Sequence, residues 1–395
     1  MPNLNELEIA LPVAPLKLVC LDSAVETGEK MNKHLVEYRA SVKNLIKDNN
    51  AFQDYVSDNY LVPIQTPRFG SGESKGVLLE SVRGKDVYIL LDICNHSITY
   101  ELNGYTNHKS PDDHFQDLKR IIAAMTGRAH RINVIMPFLY EGRQHKRTGR
   151  ESLDCAHALQ ELTALGVNNF ITFDAHDPRV MNANPLCGFD DFNPFYQFIR
   201  SLLENHSDLT VDKDHLVVIS PDEGALDRTV YFAGVLGVDT GMFYKRRDYS
   251  TIVDGKNPIV AHEFLGDSIE GKDVIIVDDM ISSGESMLDT AKQLKDMNSK
   301  RVFICCTFGL FTNGLDAFDR AYANGDFDRI IITNLTYLPP EISQRDYFIC
   351  AEMSKFLASI IDFMNHDLSM GHVLTPTEKI HEILKRYNRN EKIKF

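Results

Sequence analysis

The chain has 395 residues, 43% hydrophobic and 25% charged, which is the composition of a folded chain of two or three domains and excludes a mainly disordered one. Its 42 Lys and Arg against 56 Asp and Glu give a formal net charge of −14, so nothing global draws it to nucleic acid or to an anionic membrane, and an anionic substrate needs locally clustered cations or a metal. No apolar run approaches the roughly 20 residues that span a bilayer, and the first residues lack the basic-then-apolar order of a secretory signal. The seven Cys are scattered without a metal-like pair, so the expected compartment is the reducing cytoplasm, with Cys305 and Cys306 as buried free thiols.

In chain order, residues 29–47 set Met31, Leu35, Tyr38, Val42, Leu45 and Ile46 at helical spacing and predict an amphipathic helix on the body. A strand is predicted at 87–93, then a polar, turn-rich surface loop over 95–113 and a helix at 113–125. Strand 132–138, helix 152–165 and strand 170–174 follow. The second half reads as strand 216–220, helix 225–236, strand 274–278, helix 286–297, strand 302–307, helix 314–323 and strand 330–334. Helices at 348–364 and 375–387 close the chain. This alternation predicts α/β structure with parallel sheets. Ligands in such sheets sit at the carboxyl ends of the strands, so the loops after the strands hold the candidate site.

The sharpest of these loops is Val274-Ile-Ile-Val-Asp-Asp-Met-Ile-Ser-Ser-Gly-Glu-Ser286. A buried strand runs into two adjacent acids, a loop of small residues and a helix. Small residues let the backbone approach a phosphate, and the N–H groups of the helix start can donate to it. The hydroxyls of Ser282, Ser283 and Ser286 can add hydrogen bonds, with Gly284 giving the close approach. Asp278 and Asp279 suit a sugar's vicinal hydroxyls or a cation on them. The plainer alternative is a strand end with a capping Ser and solvated acids.

This string resembles the ribose-phosphate loop of type I phosphoribosyltransferases and of phosphoribosyl pyrophosphate (PRPP) synthetases. Further segments are similar to the second class alone. Phe69-Gly-Ser-Gly-Glu73, followed by Glu80-Ser-Val-Arg-Gly-Lys-Asp-Val-Tyr88, resembles its ATP-facing loop and next strand. Pro137-Phe-Leu-Tyr-Glu-Gly-Arg-Gln-His-Lys-Arg147 resembles its Arg-Gln nucleotide loop, and Phe173-Asp-Ala-His176 its metal segment. Ser220-Pro-Asp-Glu-Gly224 resembles its pyrophosphate loop and Lys245-Arg-Arg247 its basic flexible loop. The matches keep the family's order from about residue 69 to 338.

The resemblance implies two tandem type I phosphoribosyltransferase-like domains with parallel sheets. The expected divisions are a helical N-terminal extension (1–50), a first domain (51–188), a second domain (189–345) and C-terminal helices (346–395) returning to the first domain. It implies transfer of a pyrophosphoryl group from Mg²⁺-ATP to the anomeric hydroxyl of ribose 5-phosphate, giving PRPP and AMP, in a homo-oligomer, dimer or hexamer. Phe69, Ser71 and Glu73 would form the adenine side, Arg143 and Gln144 would contact the nucleotide, and His176 and Asp222 would meet Mg²⁺. Asp222, Glu223 and Gly224 would cradle pyrophosphate, and Asp278, Asp279, Ser282, Ser283, Gly284 and Ser286 would hold ribose 5-phosphate. Lys245 and Arg247 would close over the transferred group as the catalytic cations.

Three features depart from the family pattern. Ser282 stands where an acid is usual, and Ser71 replaces a longer polar residue. Ala225 replaces a second Gly, where a Cβ would resist a positive φ. A non-catalytic regulatory relative and a base phosphoribosyltransferase are the alternatives in view.

Overall fold

Val274–Val277 and Ile330–Ile332 are buried on both faces, the mark of parallel strands covered by helices on either side rather than of a sheet with one wet face. The computed structural model describes residues 10–46, 49–52, 54–247, 259–389 and 391. It begins with β1 (Leu16–Cys20), α1 (Val25–Ser41), β2 (Asp86–Leu90), α2 (Pro111–Met125), β3 (Arg131–Ile135), α3 (Asp154–Ala164), β4 (Asn169–Phe173) and β5 (Gly188–Phe192). Then come α4 (Phe195–Asn205), β6 (Leu216–Ser220), α5 (Leu226–Leu236), β7 (Asp239–Arg247), β8 (Ile259–Leu265), β9 (Asp273–Ile281), α6 (Glu285–Asp296) and β10 (Arg301–Gly309). The chain finishes with α7 (Asp316–Asn324), β11 (Arg329–Thr333), β12 (Phe348–Ala351), α8 (Ser354–Asn365) and α9 (Thr377–Asn388).

The chain forms two units. One takes the described residues up to Asn193 with Asn334–Tyr337 and Glu352–Thr375; the other takes Pro194–Thr333, Leu338–Ala351 and the described residues from Pro376. The first unit holds a parallel five-stranded sheet in sequential order, β1-β2-β3-β4-β5. Val87, Ile89, Val134 and Phe170 carry its core against Leu118, Ile122 and Leu159 of the helices. The second unit holds seven strands in the order β8-β7-β6-β9-β10-β11-β12, parallel except for the antiparallel edge strand β8. Cys305 and Cys306 are fully buried in β10 as free thiols. Among the described residues no helix is long and apolar enough to cross a membrane.

Several expected elements come out differently. The 1–50 segment is not a helical appendage, because Leu16–Cys20 pairs along its length with β2 as an edge strand of the first sheet. The predicted helix 29–47 starts earlier and breaks at Val42 into α1 and a short turn Lys43–Ile46. Its buried stripe is Met31, Leu35 and Arg39. Arg39 turns inward because Asp362 and Asn365 of α8 receive its guanidinium at 2.7–2.8 Å. The division of the chain falls after Asn193, within the stretch 184–195 where it is expected though past the boundary drawn at 188, since Gly188–Phe192 joins the first sheet beside β4.

The 95–113 segment contains an antiparallel hairpin, Thr99–Leu102 against Tyr105–His108, closed by Asn103 and Gly104, both at positive φ. The predicted helix 348–364 divides into β12 and α8. The C-terminal region also divides: α8 belongs to the first unit, whereas α9 packs against α4 and α5 of the second. Lys245 and Arg247 are not in a loop but end strand β7, opposite His262 and Ile259 with a bulge between Arg246 and Arg247. Their side chains, and the polar residues 248–255 whose sequence predicts a mobile segment, lie outside the described residues.

Candidate active site

In the second unit the strand order reverses between β6 and β9, which are neighbours in space though β7 and β8 intervene in sequence. The loops leaving their carboxyl ends at such a reversal are the usual ligand position in an open α/β sheet. These are the two loops expected to carry pyrophosphate and ribose phosphate. After β6, the Asp222 carboxylate accepts the backbone N–H groups of Gly224 (2.9 Å) and Ala225 (3.3 Å), folding 222–225 into a tight turn that starts α5. Glu223 and Gly224 are exposed on it. Ala225 has φ −91° and is buried, so the turn asks for no positive φ and the Cβ brings no backbone strain.

After β9 the chain passes Asp278 and Asp279 and bends at Ser282 and Ser283 into α6. Gly284 precedes that helix at φ 86°, and a Cβ on it would stand 2.1 Å from Cζ of Phe318. Both facts demand glycine. Among the described residues no N-cap side chain closes α6, whose start presents its first-turn N–H groups where an anion is ordinarily held, and exposed Ser286 lies in that turn.

Arg228, from the first turn of α5, reaches both acids, with Nη1 3.1 Å from Asp278 and 3.1 Å from Asp279. Asp279 is buried and Asp278 half-buried. Burial, followed by the Asp279 charge, pushes the Asp278 carboxyl well above the usual carboxylate range, while Arg228 opposes the rise. Two adjacent acids suit donors arriving from outside, such as the O–H groups of a vicinal diol or a further cation. Arg228 escaped the sequence reading. A basic residue in a helix's first turn works against the helix dipole, and that mismatch was the available signal.

In the first unit, Phe69–Glu73 closes a small hairpin of Ile64–Gln65 with Val77–Leu78. The Phe69 ring is 53% exposed, open to a stacking partner. Ser71 Oγ donates to Glu73 at 2.8 Å, so the short serine orients the acid rather than reaching outward. After β3, Arg143 is exposed, whereas Gln144 spends its amide on the Ser152 carbonyl (2.9 Å) and ties the basic loop together. After β4, His176 is exposed, 5.6 Å ring to ring from His145. His145 Nε2 lies 3.3 Å from Asp177, whose carboxyl the Arg179 guanidinium holds far below the usual range. His145 is a second residue the sequence reading missed; it follows the Arg-Gln pair directly. Among the described residues no three His, Cys, Asp or Glu side chains group to hold a metal ion.

Two parallel α/β units, one with a phosphate-type loop pair at its switch point, define the class: a tandem phosphoribosyltransferase-type protein. Residues 16–166 match the N-terminal domain of ribose phosphate pyrophosphokinase, and residues 189–323 match the phosphoribosyl transferase domain. A ribose-phosphate pyrophosphokinase of Corynebacterium glutamicum is 30% identical over 257 residues, 65% of this chain and 72% of the relative. One from Vibrio parahaemolyticus is 29% identical over 310 residues, 77% and 88% of the two chains. The crystal structure of phosphoribosylpyrophosphate synthetase from Mycobacterium smegmatis shares the fold, with a TM-score of 0.69 at 21% identity over 89% of this chain and 99% of that one. The chain belongs to the ribose-phosphate pyrophosphokinase family.

Proposed function

We propose that this chain transfers the pyrophosphoryl group of ATP to the anomeric hydroxyl of ribose 5-phosphate, releasing PRPP and AMP. The observation that carries the reading is the first unit. A base phosphoribosyltransferase needs only the unit with the loops after β6 and β9, whereas here a second α/β unit matching the N-terminal domain of ribose phosphate pyrophosphokinase precedes it. Ala225 and Ser282 are the two departures that favour a non-catalytic relative, and the ordinary backbone of Ala225 takes away the first of them.

In this reading Asp278 and Asp279 accept the sugar's hydroxyls, while Ser282, Ser283, Ser286 and the α6 amides take the 5-phosphate. Phe69 and Glu73, oriented by Ser71, hold adenine, and Arg143 meets the phosphates. The 222–224 turn faces the pyrophosphoryl group. Lys245 and Arg247 at the end of β7 stabilise charge that develops during transfer. Magnesium brought in on phosphates takes one or two protein groups and keeps its waters. Asp222, half-exposed and oriented by its own turn, and exposed His176 acting through water, are groups of that kind. Bound to such a group, Mg²⁺ would offset the triphosphate's charge. Mixing protein with Mg²⁺, ATP and ribose 5-phosphate and assaying PRPP and AMP tests the proposal; a protein that forms no PRPP from the two together would refute it.

A further inference from the structure

The Phe69–Glu73 turn is held from outside. The Arg68 guanidinium lies over the Tyr100 ring, 3.8 Å from its centroid, in the hairpin Thr99–His108. The same guanidinium donates to the Gly72 carbonyl (3.0 Å) inside the turn and to Asp113 (2.8 Å) in the first turn of α2. Asp113 is itself fixed by the capping box with Ser110, so Arg68 ties turn, hairpin and helix end together. Gly72 stands at φ 91°, and a Cβ there would lie 3.0 Å from Cδ2 of Leu102 on the hairpin. Tyr100 and Leu102, two apart on one strand, are the half-buried pair, while Thr99 and Glu101 face solvent. An isolated two-stranded hairpin is marginal in water and needs such a surface to rest on. The turn gains in exchange a clamp on its backbone, with Phe69 and the Ser71–Glu73 pair left on its open side.

We propose that this hairpin is a positioning device for the nucleotide-binding turn, with Tyr100 and Arg68 as its positioning residues and the adenine end of ATP as the group it serves. The inference rests on the reading of that turn in the proposed function. A hairpin that merely decorated the surface would leave the turn unchanged when its stack is removed.

The test uses the full chain and the variants Tyr100→Ala, Tyr100→Phe and, as a control at the exposed hairpin tip, Tyr105→Ala. Amide hydrogen exchange across residues 69–74 is followed in the unliganded protein, with ATP affinity by calorimetry and steady-state kinetics beside it. Tyr100→Ala is expected to speed exchange there and to weaken ATP by about three- to tenfold, the size of a lost cation–π stack, with kcat and the ribose 5-phosphate KM within about twofold. Tyr100→Phe keeps the ring and should match the wild type, as should Tyr105→Ala. Unchanged exchange in Tyr100→Ala, faster exchange with unaltered ATP affinity, or equal damage from Phe and Ala would each overturn the proposal. A wild type that makes no PRPP would sink the function proposed above, while exchange and ATP affinity would still decide this one.

Discussion

Arg228 sets one guanidinium nitrogen 3.1 Å from both Asp278 and Asp279, so the two adjacent acids at the end of β9 share a cation supplied by the helix after β6. Arg228→Met would leave both carboxylates without it. The expected loss is about 3–5 kcal/mol of stability, since truncating one partner strands a charge that burial has made costly. Asp278→Asn in the same chain should recover part of it. The loss should grow with rising pH, because Arg228 holds the Asp278 pKa down and its removal raises that pKa further, so the variant's folded state keeps a proton that its unfolded state releases over a wider range. Urea unfolding of the single and double variants checks this; equal stability of wild type and Arg228→Met would refute the shared-charge account.

Asp279→Asn keeps an acceptor for the Met280 N–H, which lies 2.9 Å from the Asp279 carboxylate, but removes the charge. If the pair holds the sugar, ribose 5-phosphate affinity should fall by about 1.5–3 kcal/mol for each charge-assisted bond lost, with ATP affinity nearly unchanged. Calorimetric titration with each ligand distinguishes this from a general disruption, which would weaken both.

The central strands and the loop after β9 were legible because buried parallel strands write continuous Val and Ile runs, and a phosphate loop writes small residues before a helix. Elements without such a signature were missed. Leu16–Cys20 has Lys17 interrupting its apolar run, and Gly188–Phe192 carries two acids in its middle. The Thr99–His108 hairpin was read as a loop although Asn103-Gly104 is a strong two-residue hairpin signal, because its alternation of half-buried and exposed residues is faint in so polar a stretch. Phe348–Met364 looked helical throughout because the apolar run continues from β12 into α8. In the site, the motif residues announced themselves by type and order. Arg228 and His145 act through neighbours that only the folded chain brings together.

Gly284→Ala combines a left-handed φ with a Cβ driven into the Phe318 ring. The backbone term costs roughly 1–2 kcal/mol and the overpacking about 1–3 more. Denaturant midpoints should fall accordingly, and adding Phe318→Leu should restore the packing part but not the backbone part. Full restoration by Phe318→Leu would mean that φ carries no strain here.

Asp92 lies buried just past β2 and accepts the backbone N–H groups of Cys94 and Tyr337. Burial pushes its carboxyl up from 3.8 to about 7, against those two hydrogen bonds. Between these values the folded state holds a proton that the unfolded state gives up, so stability drains away as pH rises through that window. Relative to Asp92→Asn, the wild type should lose up to about 1.4 kcal/mol per pH unit between roughly pH 4 and 7. Unfolding free energies of both proteins across that range check the slope; a flat or rising difference would contradict the buried-acid reading.

The most direct measurement incubates the full chain with Mg²⁺, ATP and ribose 5-phosphate and follows both products, for the wild type and for Lys245→Ala. The variant should turn over on the order of a hundredfold or more slowly with little change in either affinity, because its charge is needed chiefly in the transition state; full turnover would withdraw that role from Lys245 alone. For the wild type, the account predicts PRPP and AMP in equal amounts. Formation of ADP in place of AMP, or no PRPP at all, would contradict it.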